Sequence, residues 1–222
     1  MKKLFLLLTL VAGFFMACQN NAGNADAAKT GEAQEEAAPT DAAVAYAVDT
    51  DASIINWEGY KPGKYGHNGI MKLKNGSFAV KDGKVESGSF VINVASLECT
   101  DLADNPDKKM KLEGHLKAGD FFEVEKYPSG KFVMSSIAPL EGNPAANSTV
   151  TGNLILKDIT KSIEIPANIT VSEGSVSVKT PEFTINRTEW GINYSSGVIG
   201  TVKDQLIADD VKLSIDLVAK MQ

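Results

Sequence analysis

The chain has 222 residues, of which 43% are hydrophobic and 7% aromatic, and its formal net charge is −6 at pH 7. Lys and Arg form no cluster along the sequence, whereas proteins that bind nucleic acid need a basic face to neutralise phosphates. Nucleic acid is therefore not expected as a partner.

Residues 1–17 are typical of an export signal. Two lysines precede a 12-residue apolar run, Leu4–Phe15, which is shorter than the about 20 residues of a membrane-spanning helix. Ala17 then precedes Cys18, and this arrangement resembles a bacterial lipoprotein signal. The resemblance implies cleavage before Cys18 and acylation of its thiol and of the new N-terminus, which together give stable anchoring. An ordinary secretory signal with a chance cysteine is the alternative.

Anchoring through Cys18 predicts a place in the bacterial cell envelope, at the outer membrane or its periplasmic face. It would also leave Cys99 without a disulfide partner, because the chain has two cysteines. A lone cysteine beside apolar Leu97 is more often a small buried hydrophobe than a reactive thiol.

Residues 18–43 are predicted to form a flexible linker between the lipid anchor and the domain. The segment is rich in Ala, Asn, Gly, Asp and Glu, and it has no aromatic residue and no apolar periodicity. Such a segment cannot bury enough apolar surface to offset its ordering entropy. A single folded domain is expected over residues 44–222.

Hydrophobicity alternates with a period of two from about Ala45 onward, which predicts strands. Tight turns are predicted at Asn75–Gly76, Asp82–Gly83 and Glu173–Gly174, because turn residues of this kind tolerate positive φ. The last strand shows the clearest alternation, with four apolar residues on one face: Val211, Leu213, Ile215 and Leu217. Altogether the pattern indicates roughly eight strands.

A sheet with one apolar face must bury that face, either against a second sheet or by closing on itself. Closure also removes the exposed edges of the sheet. Eight strands closed as a barrel leave an interior that side chains can fill or that can hold one small ligand.

One long charged segment, Asp101–Tyr127, interrupts the alternation. Within it, Asp107–Gly114 is predicted to form one or two helical turns. Because a long excursion in a compact β domain usually covers something, we interpret this segment as a lid or rim over one end of the barrel.

Four segments occur in a consistent order and spacing. They are residues 48–78, with a Gly-His-x-Gly turn; residues 113–133; residues 150–169, with a Gly-x-Leu strand and an Ile-Pro-Ala strand; and residues 183–194, with an Arg-Thr-x-aromatic-Gly motif. Together they resemble the YceI family of exported lipid-binding proteins. The resemblance implies an all-β fold: an eight-stranded antiparallel, lipocalin-like barrel, here with a short helical lid segment. It also implies an elongated apolar cavity for polyisoprenoid or other long-chain lipids, and a possible homodimer.

Eight residues are candidates for binding the ligand: Trp57, Phe90, His115, Phe121, Phe122, Phe132, Arg187 and Trp190. Most of the aromatic residues are expected in the cavity or core wall. Phe121 and Phe122 either line the mouth or plug the barrel end. Since adjacent strand residues point to opposite faces, only one of the two phenylalanines is expected to have either role.

Arg187 lies in an otherwise apolar segment, and an unpaired buried charge is costly. One interpretation is contact with the polar head of a lipid, which suits a guanidinium. The other is an internal ion pair with Asp120 or Glu189.

The two histidines, His67 and His115, show no metal-ligand spacing, so no metal and no cofactor are expected. His115 is interpreted as making a structural hydrogen bond, and His67 as an exposed turn residue. No catalytic motif was found, so no catalytic residue is assigned and an enzyme is not expected.

The predicted function is a membrane-tethered binding protein that holds a long-chain apolar lipid, such as a polyisoprenoid or isoprenoid quinone, for storage or transport in the envelope. The first alternative is a structural or interaction lipoprotein whose barrel is filled by its own side chains. The second is a lipid-modifying enzyme with a metal at His115.

Overall fold

The computed structural model describes residues 25–63 and 65–222. The predicted signal peptide and the predicted lipidation site, Cys18, lie outside the described residues. Among the residues described, no helix is long and apolar enough to cross a membrane.

Strands make up most of the described chain, with one α-helix and three short 3₁₀ helices. The strands are β1 (Asp26–Ala27), β2 (Lys29–Gly31), β3 (Val44–Val48), β4 (Ile54–Tyr60), β5 (Gly66–Lys81), β6 (Lys84–Cys99), β7 (Gly130–Pro139), β8 (Ser148–Leu156), β9 (Ile159–Ser172), β10 (Ser175–Lys179), β11 (Phe183–Asn186) and β12 (Asp210–Met221). Helix α1 is Pro106–Lys117, and the 3₁₀ helices are Arg187–Trp190, Gly197–Ile199 and Lys203–Gln205.

The long strands pair in an antiparallel ring of eight positions. From β5 the order runs through β6, β7, β8, β9 and β10 to β12, and β12 returns to β5 through β3. Strands β3 and β4 share one position, because both pair with β5 and β12; β10 and β11 likewise both pair with β12. The predicted eight-stranded antiparallel ring is confirmed.

The two ends of the ring differ in their connections. At the closed end, Asp82–Gly83 and Glu173–Gly174 are tight turns, and residues 140–147 form a short loop. At the open end lie the connection from β4 to β5, the segment 100–129 that contains α1, the turn Lys157–Asp158, and the segment 187–209. All the long excursions of the barrel are therefore at one end.

The predicted turns were partly right. Asp82 and Gly83 have φ of 49° and 72°, and Gly174 has φ of 78°, as tight turns require. Asn75–Gly76, however, lies inside β5, so that prediction is wrong. The ladder between β5 and β6 shifts register between Leu73 and Asn75, and a Cβ on Gly76 would lie 2.8 Å from the Cβ of Phe90. A bulge with a close backbone approach therefore takes the place of the turn.

Helix α1 is longer than the one or two turns predicted. It begins at Pro106 after Asn105, whose side chain accepts a hydrogen bond from the Lys108 amide, and this cap extends it beyond the predicted Asp107–Gly114. Leu112 and Leu116 pack against the core from the open end. The helix therefore partly covers the mouth of the barrel.

Residues 25–43 do not form the flexible linker that the composition predicts. β1 pairs in parallel with β11 and β2 pairs antiparallel with β9, so residues 26–31 lie between these two strands of the ring. The chain then crosses the outer wall: Gln34 bonds to Asn153, and the Ala37 amide donates to the Met134 carbonyl. We call residues 26–40 the strap. Composition missed it because backbone hydrogen bonds and one polar clamp hold it, rather than buried apolar side chains.

Candidate binding cavity

The open half of the ring encloses a cavity of about 1250 Å³ with a mainly apolar wall. Strand β12 shows where the interior changes from packed to hollow. Leu217, in the closed half, is fully buried, whereas Leu213 and Ile215 point inward to the cavity and are only half-buried. The interior is therefore not filled by its own side chains, which argues against the filled-barrel alternative.

All eight candidate residues lie on the wall of this cavity. Phe90 and Phe132, on neighbouring strands, stack with their ring centroids 5.3 Å apart. Trp190 is fully buried and its Nε1 donates to the Leu154 carbonyl at 3.0 Å. Trp57 is buried on β4. That these side chains contact a ligand stays a prediction.

Phe121 and Phe122 both line the cavity, contrary to the expectation that only one would. The expectation assumed a strand, but the two residues lie in a turn after α1, where neighbours are not forced to opposite faces. Phe121 is buried against His115 and Tyr194, and Phe122 is half-buried. Both rings therefore form part of the cavity wall near the open end.

Arg187 is paired internally, but not with Asp120 or Glu189 as predicted. Its Nη1 donates to the Ile192 carbonyl at 2.6 Å, its Nε to the Ala208 carbonyl at 3.0 Å, and its Nη2 lies 3.4 Å from Asp209 Oδ1. Burial lowers the pKa of the guanidinium below its usual value, and Asp209 opposes that shift. Arg187 therefore ties both ends of the segment 187–209 together at the mouth, while still lining the cavity.

His115 makes the structural hydrogen bond that was expected. Its Nε2 lies 3.3 Å from Asp120 Oδ2, and its ring packs edge-on against Phe121 and Tyr194 with centroid distances of 5.1 and 4.8 Å. The histidine therefore joins α1 to the turn after it and to the segment 187–209.

Comparison with known proteins identifies the family. The sequence profile of the YceI-like domain matches residues 46–219, which is more than half of the chain. The chain belongs to the YceI-like family.

Relatives of this YceI-like chain are distant in sequence. The UPF0312 protein of Shewanella denitrificans is 27% identical over 175 residues, covering 78% of this chain and 78% of the relative. The UPF0312 protein of Pseudomonas syringae pv. tomato is 33% identical over 100 residues, covering 45% and 47%.

Solved structures share the fold. BcnA of Burkholderia cenocepacia has a TM-score of 0.58 at 23% identity, covering 78% of this chain and 99% of that chain. A polyisoprenoid binding domain from Saccharophagus degradans, implicated in plant cell wall breakdown, has a TM-score of 0.55 at 15% identity, covering 81% and 99%.

A polar cluster at the mouth of this YceI-like barrel escaped the sequence interpretation. Asp101 accepts hydrogen bonds from the Asn68 amide at 3.0 Å, from the Cys99 thiol at 3.0 Å, and interacts with His67 Nδ1 at 2.8 Å. His67 is thus a partner of Asp101 rather than an exposed turn residue. No spacing signal could have found the pair, because His67 and Asp101 are 34 positions apart in the sequence.

Cys99 is buried, as expected for a small hydrophobe, and burial together with the bond to Asp101 raises the pKa of its thiol to about 12. We predict that Cys99 in native protein will not react with thiol reagents at pH 8, where about one thiol in ten thousand is ionised. A chain that starts at Gln19 removes Cys18 from the assay. Unfolded protein is the control and should label fully; rapid labelling of the native protein would contradict the prediction.

Asp101→Asn should destabilise the protein by about 1–3 kcal/mol at pH 7, because the amide cannot accept all three hydrogen bonds. Burial acts to raise the pKa of Asp101, but bonds from Cys99, His67 and the Asn68 amide outweigh it and lower the pKa below 3.8. The stabilisation is therefore present at neutral pH and lost as the pH falls through the pKa of the folded state.

Urea unfolding of both proteins across pH tests this prediction. The difference in unfolding free energy should be constant near neutrality and should shrink below about pH 4. A difference that stays constant as the pH falls through the titration of Asp101 would show that the bonds do not depend on its charge.

Among the described residues, the group with three possible metal ligands is His67, Cys99 and Asp101, whose ligand atoms lie within 4.8 Å of one another. Around His115, where a metal was considered, the described residues form no such group of three possible ligands. Hydrogen bonds within the cluster already satisfy the Asp101 carboxylate.

Proposed function

We propose that this chain binds a long-chain apolar lipid, of the polyisoprenoid or isoprenoid-quinone type, and holds it for storage or transport in the bacterial cell envelope. The observation that carries the proposal is the apolar cavity of about 1250 Å³, open at one end. Pockets for small molecules usually have volumes of about 300–1,000 Å³, so this cavity suits a larger, extended ligand. The polyisoprenoid binding domain from Saccharophagus degradans shares the fold, which supports this class of ligand.

The distribution of polar groups gives the ligand an orientation. The aliphatic and phenylalanine wall extends down to Phe90, Phe132 and Ile165, whereas Arg187, His115 and Tyr194 lie at the mouth. The tail of the lipid is therefore expected deep in the cavity, and its polar head near the open end. Tail burial contributes about 0.8 kcal/mol per methylene group, which favours long chains without choosing among them. Selection among lipids must then come from the mouth.

Binding, rather than catalysis, is the role that we propose. The buried Arg187 and the bonded His115 have structural partners, and Asp101 is held by three donors. Tethering through an acylated Cys18 completes the proposal, since it would keep the barrel beside the membrane that contains its ligand. Metabolic labelling with a fatty acid, compared between the full chain and Cys18→Ser, tests the tether directly.

Native mass spectrometry and lipid extraction of protein purified gently from bacteria test the ligand. We expect a bound lipid whose mass matches an isoprenoid chain, lost after extraction and regained on adding an isoprenoid quinone. Protein that is repeatedly empty and takes up no such quinone would overturn the proposed function.

A further inference from the structure

Exposed large apolar side chains are concentrated at one end of the barrel. Nine are exposed among the described residues, and only Val44 and Met221 of these lie at the closed end. The other seven are all on connections or strand starts at the open end: Tyr65, Met110, Ile159, Tyr194, Val198, Ile199 and Val202. Single exposed apolar residues are ordinary, but a concentration around one opening indicates a contact surface.

Two of the exposed residues are held outward by defined local structure. Val198 and Ile199 are 66% and 60% exposed within the 3₁₀ helix Gly197–Ile199. Buried Ser196 caps this helix by accepting a hydrogen bond from the Val198 amide, and Gly200 ends it with φ of 76°. The apolar tips are therefore fixed by the backbone around them.

These residues surround the mouth of the cavity. Tyr65 and Tyr194 line the mouth themselves, and the segment with Val198, Ile199 and Val202 lies between Ser195 and Gln205, which also line it. Met110 is on α1, which covers the mouth from another side. The apolar exterior is thus continuous with the apolar interior. We call Tyr65, Met110, Val198, Ile199 and Val202 the open rim.

We propose that the open rim docks on the surface of a lipid bilayer, with the mouth facing the membrane. The proposal rests on the proposed function, because a cavity for a membrane lipid needs an apolar route from the bilayer to its wall. Loop tips that carry isolated apolar residues and a tyrosine suit shallow insertion at the membrane interface.

The length of chain before the strap allows this orientation. Seven residues lie between Cys18 and Asp26, and the eight Cα–Cα steps reach at most about 28 Å when fully extended. Asp26 pairs beside Phe183 on β11, and that strand leads directly into Arg187 at the mouth. Arg187 lies only four residues beyond Phe183, so this length of chain lets an acyl anchor at Cys18 reach a bilayer at the open end.

Charge indicates how the rim would bind. The chain has a net charge of −6, and the open end carries both signs, for example Asp104 and Asp107 beside Lys108 and Lys111. Binding of the open rim to the bilayer is therefore driven by apolar insertion and not by attraction to anionic head groups. Binding should be insensitive to salt and should not improve when anionic lipid is added.

Vesicle flotation of the unacylated chain that starts at Gln19 tests the proposal. Phosphatidylcholine vesicles, with and without phosphatidylglycerol, are compared for the wild-type sequence and for the triple change Val198→Ser, Ile199→Ser and Val202→Ser. We expect the triple change to lower the partition coefficient by about tenfold or more, because it removes three of the five apolar side chains of the open rim. The matched control, Val44→Ser with Met221→Ser at the closed end, should bind vesicles like the wild type.

Three results would overturn the proposal: no vesicle binding by the wild type, equal binding by the rim variant, or a rim-dependent dimer in light scattering without vesicle binding. The last would identify a second copy of the chain as the partner. Uptake of an isoprenoid quinone without vesicles is measured in parallel. Failed uptake with rim-dependent docking would refute the proposed function alone, and normal uptake without docking would refute the open rim alone.

Discussion

Replacing Leu213 by tryptophan should block uptake of a long-chain lipid while leaving the barrel folded. Leu213 points into the hollow half of the ring from β12 and is only half-buried, because it lines the cavity. An indole placed there would occupy the space of the tail. In a filled core the same enlargement would cost about 1–3 kcal/mol through overpacking. Here the added ring has empty space to enter, so the melting temperature should change little.

The measurement pairs an uptake assay, using an isoprenoid quinone, with thermal unfolding of the same preparations. We expect the Leu213→Trp variant to lose at least about tenfold in affinity, because several methylene groups of the tail would be displaced. Lys131→Trp is the control, since Lys131 is exposed on the outer face of β7 and the added indole meets solvent. Unchanged uptake with a large loss of stability would mean that the interior is packed in solution.

The resemblance to the YceI family implied a cavity, but hydrophobic alternation alone could not predict whether the interior is hollow. The alternation of Val211, Leu213, Ile215 and Leu217 correctly placed one face of β12 inside the ring. The same alternation fits a filled barrel and an empty one equally well. The difference depends on the summed volume of inward side chains against the radius of the ring, which is a property of all strands together.

Some site residues could be placed from local sequence patterns, whereas the positions of others depend on contacts between distant parts of the chain. Trp57, Phe90 and Phe132 were predictable as wall residues because inward strand positions are fixed by the period of two. The partners of Arg187 and His67 were not, because Asp209 and Asp101 approach them only through the closure of the mouth. Asn75–Gly76 shows the opposite failure: a strong local turn signal was overridden because β5 and β6 continue their pairing on both sides of it.

The strap is part of the wall of the barrel, so substitutions that detach it are expected to have large effects on stability and on lipid release. In the described register, β9 pairs with β10 only from Asn168 onward, whereas β11 pairs with β12 and β1. Residues 26–31 therefore fill the seam between β9 and β11 at the open half. Ile163 on one side of this seam and Phe183 on the other both line the cavity. Removing the strap would open a lateral slot into it.

The double change Ala28→Pro with Asn153→Ala should detach the strap and destabilise the protein by roughly 2–4 kcal/mol. Proline removes the Ala28 amide that donates to the Thr184 carbonyl at 2.8 Å. Alanine removes the side chain of buried Asn153, which bonds both the amide and the carbonyl of Gln34 at 2.9 and 2.7 Å. The ion pair of Lys29 with Glu164 contributes little, because Lys29 is exposed.

Urea unfolding and amide hydrogen exchange test the change together with the release rate of bound lipid. Amides of the strap should exchange much faster in the variant, and lipid should leave faster because the slot exposes the tail. The control is Thr40→Ala, which removes only an exposed bond to Glu86 at the far end of the strap and should change stability by less than about 0.5 kcal/mol. If strap amides already exchange freely in the wild-type protein, residues 26–40 are a linker as their composition predicts, and the wall is complete without them.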